Sequence, residues 1–96
     1  MQKKFKVIFS PQVLREIERL ETATALQLAR DIKSYLENSP LPIGKSRIKK
    51  LTGYNPPLYR LRSGDFRAYY RILPDSVVIL AITHKKESEK FLKRMK

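Results

Sequence analysis

The sequence predicts an α+β domain in the order β-α-α-β-β-β-α, with two N-terminal helices packed on an antiparallel sheet and a short C-terminal helix. Three observations carry this prediction. Apolar residues recur at helical spacing in the N-terminal half, and β-branched and aromatic runs separated by turn residues fill the C-terminal half. At 96 residues the chain has room for one hydrophobic core, and no repeat or linker divides it, so residues 1–96 are taken as a single domain.

Lys4 to Phe9 is short and β-prone and reads as the first strand. Ser10-Pro11 follows, a hydroxyl suited to capping a helix and a proline suited to its first turn. Val13, Leu14, Ile17 and Leu20 then repeat at helical spacing. Ala25, Leu28, Ala29, Ile32 and Leu36 form a second stripe, which stops near Asn38-Ser39-Pro40. Both stripes are core faces with no chemistry of their own.

Residues 39–57 hold four of the six prolines together with Gly44 and Gly53, so they predict a long connection with a short strand at Ile48–Leu51. Leu58–Arg62, Phe66–Leu73 and Val77–Thr83 are the remaining strands, separated by Ser63-Gly64-Asp65 and Pro74-Asp75-Ser76. Glu87 to Lys96, with Phe91, Leu92 and Met95, reads as the terminal helix.

Charge narrows the range of partners. Twenty-one Lys and Arg against nine Asp and Glu give a net charge of +12. Such an excess opposes folding by self-repulsion and favours polyanionic partners, nucleic acid first among them. It is also regional. Lys45, Arg47, Lys49, Lys50, Arg60, Arg62, Arg67 and Arg71 fall in one stretch with a single acid, Asp65, whereas five acids dilute the N-terminal half. For Lys45 and Arg47, plain solvated loop charge is an equal reading. The absence of cysteine leaves no disulfide or thiolate site. No apolar run approaches a signal or a membrane span, and the expectation is a cytoplasmic protein with no membrane partner.

The hairpin at Gly64-Asp65 can be read residue by residue. Glycine at the first central position suits a type II′ turn, which pairs Ser63 with Phe66, Arg62 with Arg67, Leu61 with Ala68 and Arg60 with Tyr69. Residues opposite each other share a face, so one face carries Arg60, Arg62, Arg67, Tyr69 and Arg71. The other carries Tyr59, Leu61, Ala68, Tyr70 and Ile72. Like charges directly opposite cost a few tenths to about 1 kcal/mol. A docked polyanion turns that repulsion into affinity, because guanidinium forks match phosphate oxygens, and an open Tyr69 ring would stack on a base. Lys85 joins this face if Pro74–Ser76 is a three-residue loop, which sets Leu73 opposite Val77, Arg67 opposite Thr83 and Asp65 opposite Lys85. A two-residue loop sends it to the other face.

His84 is the sole histidine, so a multi-histidine metal site is excluded and no metal or cofactor is expected. Chemistry at the basic face must run on Arg, Lys and Tyr. Cleavage of RNA by its own 2′-hydroxyl suits such a set, since clustered cations stabilise the charge gathering on phosphorus oxygens.

Lys50-Leu51-Thr52-Gly53, the run from Leu58 to Ile72 through Arg60, Arg62, Gly64-Asp65-Phe66-Arg67, and His84-Lys85-Lys86-Glu87 together resemble the RelE/ParE superfamily of toxin–antitoxin toxins. The similarity spans nearly the whole chain and includes the Phe9-Ser10-Pro11 start of the first helix. It implies an α+β toxin whose RelE-type members cut messenger RNA in the ribosomal A site and are held inactive by a cognate antitoxin, here expected to be acidic. On that resemblance Arg60, Arg62, Arg67 and Lys85 are the catalytic residues and Phe91 binds RNA; the basic stretch and the hairpin face add Lys49, Lys50, Tyr69 and Arg71 as expected RNA-binding residues. Phe91 stands nearest to the family's C-terminal tyrosine, without its hydroxyl. The Glu and His pair of some members is replaced by an all-basic set, since Lys45–Lys50 has no glutamate; with arginine at both hairpin positions, either Lys85 or Lys49 would be the base, or proton transfer is weakly assisted. Two other readings are a ParE-like poison of DNA gyrase and a non-catalytic RNA-binding module or degenerate toxin.

Overall fold

The computed structural model describes residues 4–43 and 47–95; Gly44, Lys45 and Lys96, named above, lie outside them. The elements are β1 (Lys6–Phe9), α1 (Pro11–Glu18), α2 (Thr22–Asn38), β2 (Ile48–Leu51), β3 (Leu58–Ser63), β4 (Phe66–Ile72), β5 (Ser76–His84), a 3₁₀ turn (Lys85–Glu87) and α3 (Ser88–Met95). The α+β class is the one the sequence predicts, and the element order follows the predicted β-α-α-β-β-β-α with one strand more, because Ile48–Leu51 is a full member of the sheet. The strands form one sheet in the order β1-β5-β4-β3-β2.

One pairing departs from expectation. The sheet is mixed, because β1 runs parallel to β5 with Val7 opposite Val77 and Phe9 opposite Ile79. The α1–α2 hairpin and three strands intervene between those partners, and a crossover of this kind is what a parallel pair requires. The parallel ladder ends where the chain turns at Ser10, whose hydroxyl accepts the Val13 N–H at 3.2 Å and starts α1. Beyond that point α1 borders the upper half of β5, and the Glu16 carboxylate accepts the Ile82 N–H at 2.9 Å. A carboxylate on a strand edge satisfies the donor and blocks pairing with another chain.

The core lies between the helices and one face of the sheet. Leu28, Ile32 and Leu36 recur every fourth residue along α2 and are buried, and Val13 of α1 joins them. They meet Tyr59, Leu61, Ala68, Tyr70, Val77 and Ile79. Tyr59 and Tyr70 stack with centroids 5.6 Å apart, and the Tyr70 hydroxyl donates to Pro40 O at 2.6 Å. Burial, with Tyr59 beside it, pushes the Tyr70 phenol well above its usual pKa. α2 stops at Ser39, which adopts the extended backbone that a following proline favours.

The hairpin has the predicted register: Arg62 lies opposite Arg67, Leu61 opposite Ala68 and Arg60 opposite Tyr69. Gly64 takes φ +57°, and no described non-glycine residue has positive φ, which matches a type II′ turn and not type I′. Ser63 donates to the Asp31 carboxylate at 2.7 Å and ties the hairpin tip to α2.

The β4–β5 connection resolves the two-residue and three-residue alternatives in an unforeseen way. Leu73 N–H donates to Ser76 O at 2.8 Å, so the loop is the two residues Pro74-Asp75, and Ile72 faces Val77. The register then shifts between Tyr69 and Tyr70: Tyr70 faces Ile79, whereas Tyr69 faces Ala81. Leu80 is the additional residue of a β-bulge. Leu73 therefore does not face Val77, yet Arg67 still faces Thr83, as a three-residue loop would have required.

Candidate functional site

Strand alternation divides the sheet into a helix-covered face and a second face. Along this second face lie Lys49 and Leu51 of β2, Leu58, Arg60 and Arg62 of β3, Arg67 and Tyr69 of β4, and Ala81 and Thr83 of β5. The face has two halves. Leu51, Leu58, Tyr69 and Ala81 form a small second core roofed by Phe91, Leu92 and Met95 of α3. The other half is cationic and carries no roof.

The cations face one another across the ladders. Lys49 is opposite Arg60, and Arg62 is opposite Arg67. Arg67 is half-buried, and its guanidinium Nη1 donates to Gly64 O at 3.1 Å and to Phe66 O at 3.0 Å. Its pKa is lowered, first by burial and then by the positive charges of Arg60 and Arg62, against the opposing pull of Tyr69 and Asp65. Arg60 and Arg62 thus act electrostatically on the same point. Such a cluster stabilises an anion better than it tolerates its own company.

Lys85 sits beside the hairpin tip, on the side that a three-residue loop would have given it. Its N–H donates to Asp65 O at 2.7 Å, and its ammonium lies 3.3 Å from the Asp65 carboxylate. Both side chains are more than half exposed, at 51% and 65%, so the pair is a weak surface contact that an anion can open. His84 acts structurally. Its Nδ1 accepts the Lys86 N–H at 3.1 Å at the start of the 3₁₀ turn, and its ring meets the Phe66 ring edge-on.

Three sequence expectations need correction. Tyr69 is not an open stacking platform. Its ring is fully buried, 4.4 Å by centroid from the Phe91 ring, and its hydroxyl bonds Ser88 Oγ. Lys50 pairs with Tyr59, a residue of the helix-side core, so it projects away from the cationic half. Arg71 is opposite Val78, four residues and about 13 Å of strand beyond Arg67, with its Nε buried. It does not join the cluster. Phe91 keeps one partly exposed side but spends the other on Tyr69.

A groove of about 560 Å³ opens beside the cations, between β2–β3 and α3. Lys49 and Arg60 line it, and so do Glu89 and Lys93 of α3. Sequence reasoning missed the last two. Their i, i+4 spacing reads as an ordinary solvated helix face, and only the packing of α3 across the sheet brings them to the site. Among the described residues no group of three His, Asp or Glu side chains is arranged to hold a metal, and no helix is long and apolar enough to cross a membrane.

Comparison with known proteins agrees with this architecture. Residues 7–89 match the family model described as the ParE toxin of type II toxin–antitoxin systems, parDE. A protein named RelE1 from Methanocaldococcus jannaschii is 32% identical over 77 residues, covering 80% of this chain and 83% of its own length. A chain of the archaeal RelE–RelB complex from Pyrococcus horikoshii OT3 superposes with a TM-score of 0.70 at 27% identity, covering 85% of this chain and 96% of that one. The RelBE2 toxin–antitoxin complex of Mycobacterium tuberculosis gives a TM-score of 0.75 at 23% identity, over 88% and 94% of the two chains, a likeness of fold. The chain belongs to the ParE toxin family and is a toxin of a type II toxin–antitoxin system of RelE/ParE type.

Proposed function

We propose that this toxin is a ribosome-dependent messenger-RNA endonuclease that cuts at the A-site codon and so inhibits translation. The observation that carries the reading is the convergence of Arg60 and Arg62 on Arg67, on a sheet face left open by α3. In the reaction the 2′-oxygen attacks the adjacent phosphorus, its proton passes to a base, and the 5′-oxygen leaves. Negative charge grows on the non-bridging oxygens, where preorganised guanidinium groups lower the barrier most. Arg67 has its Nη1 committed to two carbonyls, which leaves Nε and Nη2 as donors for a phosphate.

Lys85 and Lys49 are the amines within the set. Lys85 is held by Asp65, whereas Lys49 has no ion-pair partner within 4 Å among the described residues. Both amines stand as candidates for the base, and Lys85 also serves as a further phosphate cation once the substrate displaces Asp65. Proton transfer is the weaker part of this machinery, so the ribosome is expected to supply substrate alignment. RelE–RelB complexes among the structural neighbours support an antitoxin partner, and a net charge of +12 points to an acidic one. Action on ribosomes implies a cytoplasmic site of action.

Ribosomes programmed with a defined message test the proposal. Added toxin should produce A-site cuts that Arg67→Ala abolishes. Uncut message, with wild type and Arg67→Ala equally toxic on induction, rules it out. The name of the matching family model favours one other reading, a ParE-like gyrase poison. Accumulation of gyrase–DNA cleavage complexes on induction would support it.

A further inference from the structure

The cations of the site stand at the end of a hairpin, where a sheet is least constrained. The β3–β4 ladder closes with Ser63 opposite Phe66, so Gly64-Asp65 projects beyond the last pair, and Arg62 and Arg67 form the pair just before it. The Arg67 Nη1 donates to the Gly64 and Phe66 carbonyls at 3.1 and 3.0 Å. A guanidinium is planar, so the plane of Arg67 follows the Gly64 carbonyl that holds one end of it. The placement of this cation therefore depends on what fixes the turn.

The turn is held from both sides. From the end of β5, the Lys85 N–H donates to Asp65 O at 2.7 Å. From the helix layer, Asp31 of α2 accepts the Ser63 hydroxyl on Oδ2 at 2.7 Å, across 32 residues of sequence. Ser63 is buried, at 4% exposure, and immediately precedes Gly64. Gln27, one helical turn before Asp31, donates to its Oδ1 at 2.9 Å and orients the carboxylate. Ile32, the next residue, is fully buried and seats this turn of α2 in the core. Among the described residues no cation lies within 4 Å of Asp31. In a chain with 21 basic and nine acidic residues, this carboxylate engages a hydroxyl instead. A hydrogen bond to an ionised acceptor is roughly twice as strong as one between neutral groups, which suits a strut between two layers.

We propose that Asp31 is a positioning residue for the cleavage reaction: through Ser63 it fixes the Gly64 carbonyl, and through that carbonyl the guanidinium of Arg67. This rests on the RNA-cleaving reading above and adds to it a residue on the opposite side of the sheet that touches no substrate. Message binding is shared among all the cations of the face, whereas stabilisation of the transition state depends on where one of them stands. Loss of the strut is therefore felt in the rate and not in the affinity.

Measurements on the full chain separate this inference from the reading beneath it. On programmed ribosomes, Asp31→Ala and Ser63→Ala should each lower the single-turnover cutting rate at saturating toxin roughly ten-fold or more, with the half-saturating concentration changed less than about two-fold. The double variant should be no slower than either single one, because the two side chains act as one unit. Asp31→Asn keeps an oxygen for the Ser63 hydroxyl and should recover most of the rate. Ile32→Val loosens the same turn of α2 without touching the hairpin tip and should cut at the wild-type rate. In side-chain NMR of the free toxin, the Arg67 Nη protons should give separate signals in wild type and Asp31→Asn, where rotation is hindered, and an averaged signal in the two alanine variants. Should Asp31→Ala fail to fold, Ser63→Ala carries the same expectation. An unchanged rate in Ser63→Ala, an equal loss in Ile32→Val, or unaltered Arg67 signals in the alanine variants overturns the inference even if wild type cuts. Absence of A-site cutting by wild type, with the Arg67 signals still averaged in the alanine variants, removes the ribonuclease and leaves the positioning of Arg67 standing.

Discussion

The two faces of the sheet are built from the same five strands and serve opposite ends. The helix-covered face carries the main core beneath α1 and α2, from Ile48 to Ile79, with Lys50 as a charge at its edge. The second face holds a small core under the eight-residue α3 and then gives way to Lys49, Arg60, Arg62 and Arg67. One face maximises burial, and the other accepts repulsion. The contrast teaches that period-2 alternation lets a 96-residue chain keep its stability and its chemistry on separate sides of one backbone.

Substitutions can break that contrast from either side. The largest effect is expected for Ile32→Ala, fully buried on the helix side, at about 2–5 kcal/mol of unfolding free energy. Urea denaturation measures it, and a loss below about 1 kcal/mol would mean that the face is not the main core. Arg67→Ala is expected to leave the fold intact and to lower A-site cleavage by roughly a hundred-fold or more. A cleavage loss accompanied by unfolding would show that the two faces are not separable.

Tyr70→Phe removes the hydrogen bond to Pro40 O and should cost about 1 kcal/mol at neutral pH. Its pH dependence is more telling. The folded protein holds this phenol protonated far above its ordinary pKa, whereas the unfolded chain releases the proton near pH 10. The unfolded state then binds fewer protons than the native one, so this contribution is complete below about pH 10 and falls as pH rises further. Tyr70→Phe should show a shallower alkaline decline than wild type in parallel denaturant titrations, and identical slopes would contradict the burial argument.

On the second face the expected sign reverses. Arg62→Thr relieves the charge opposite Arg67 and should stabilise the fold by a few tenths of a kcal/mol, up to about 1, while impairing cleavage. A destabilised variant would mean that the arginines pack more than they repel. Asp65→Asn should have the smallest effect on folding, within about 0.5 kcal/mol. It should also strengthen RNA binding and steepen its salt dependence by freeing Lys85, measurable by binding across ionic strengths.

Much of this organisation is legible in the residues. Gly64-Asp65 demanded a two-residue II′ turn, and from that turn alone the facing of Arg62 and Arg67 and the apolar partners of the other face follow. The α2 stripe at Leu28, Ile32 and Leu36 is equally local. What escaped was set by distant packing. Tyr69 has the alternation of a solvent-facing residue, and nothing nearby signals that a helix nineteen or more residues later will cover it. Glu89 and Lys93 are hidden for the same reason. The parallel pairing of β1 depends on partners at opposite ends of the chain, and Leu80 sits unmarked inside a continuous apolar run.

Leu80 has a bearing on how the chain tolerates changes of length. The bulge makes Leu80 and Ala81 consecutive residues that both pack into the small core beneath α3. Because Ile79 already faces Tyr70 and Ala81 already faces Tyr69, excising Leu80 would join two segments whose partners are adjacent. Every ladder contact from Ile72 to Phe66 would survive the deletion, and only the leucine beneath α3 would be lost. A deletion one position to either side would remove a paired residue. The strand therefore contains a single site at which one codon can be lost without moving the cationic face.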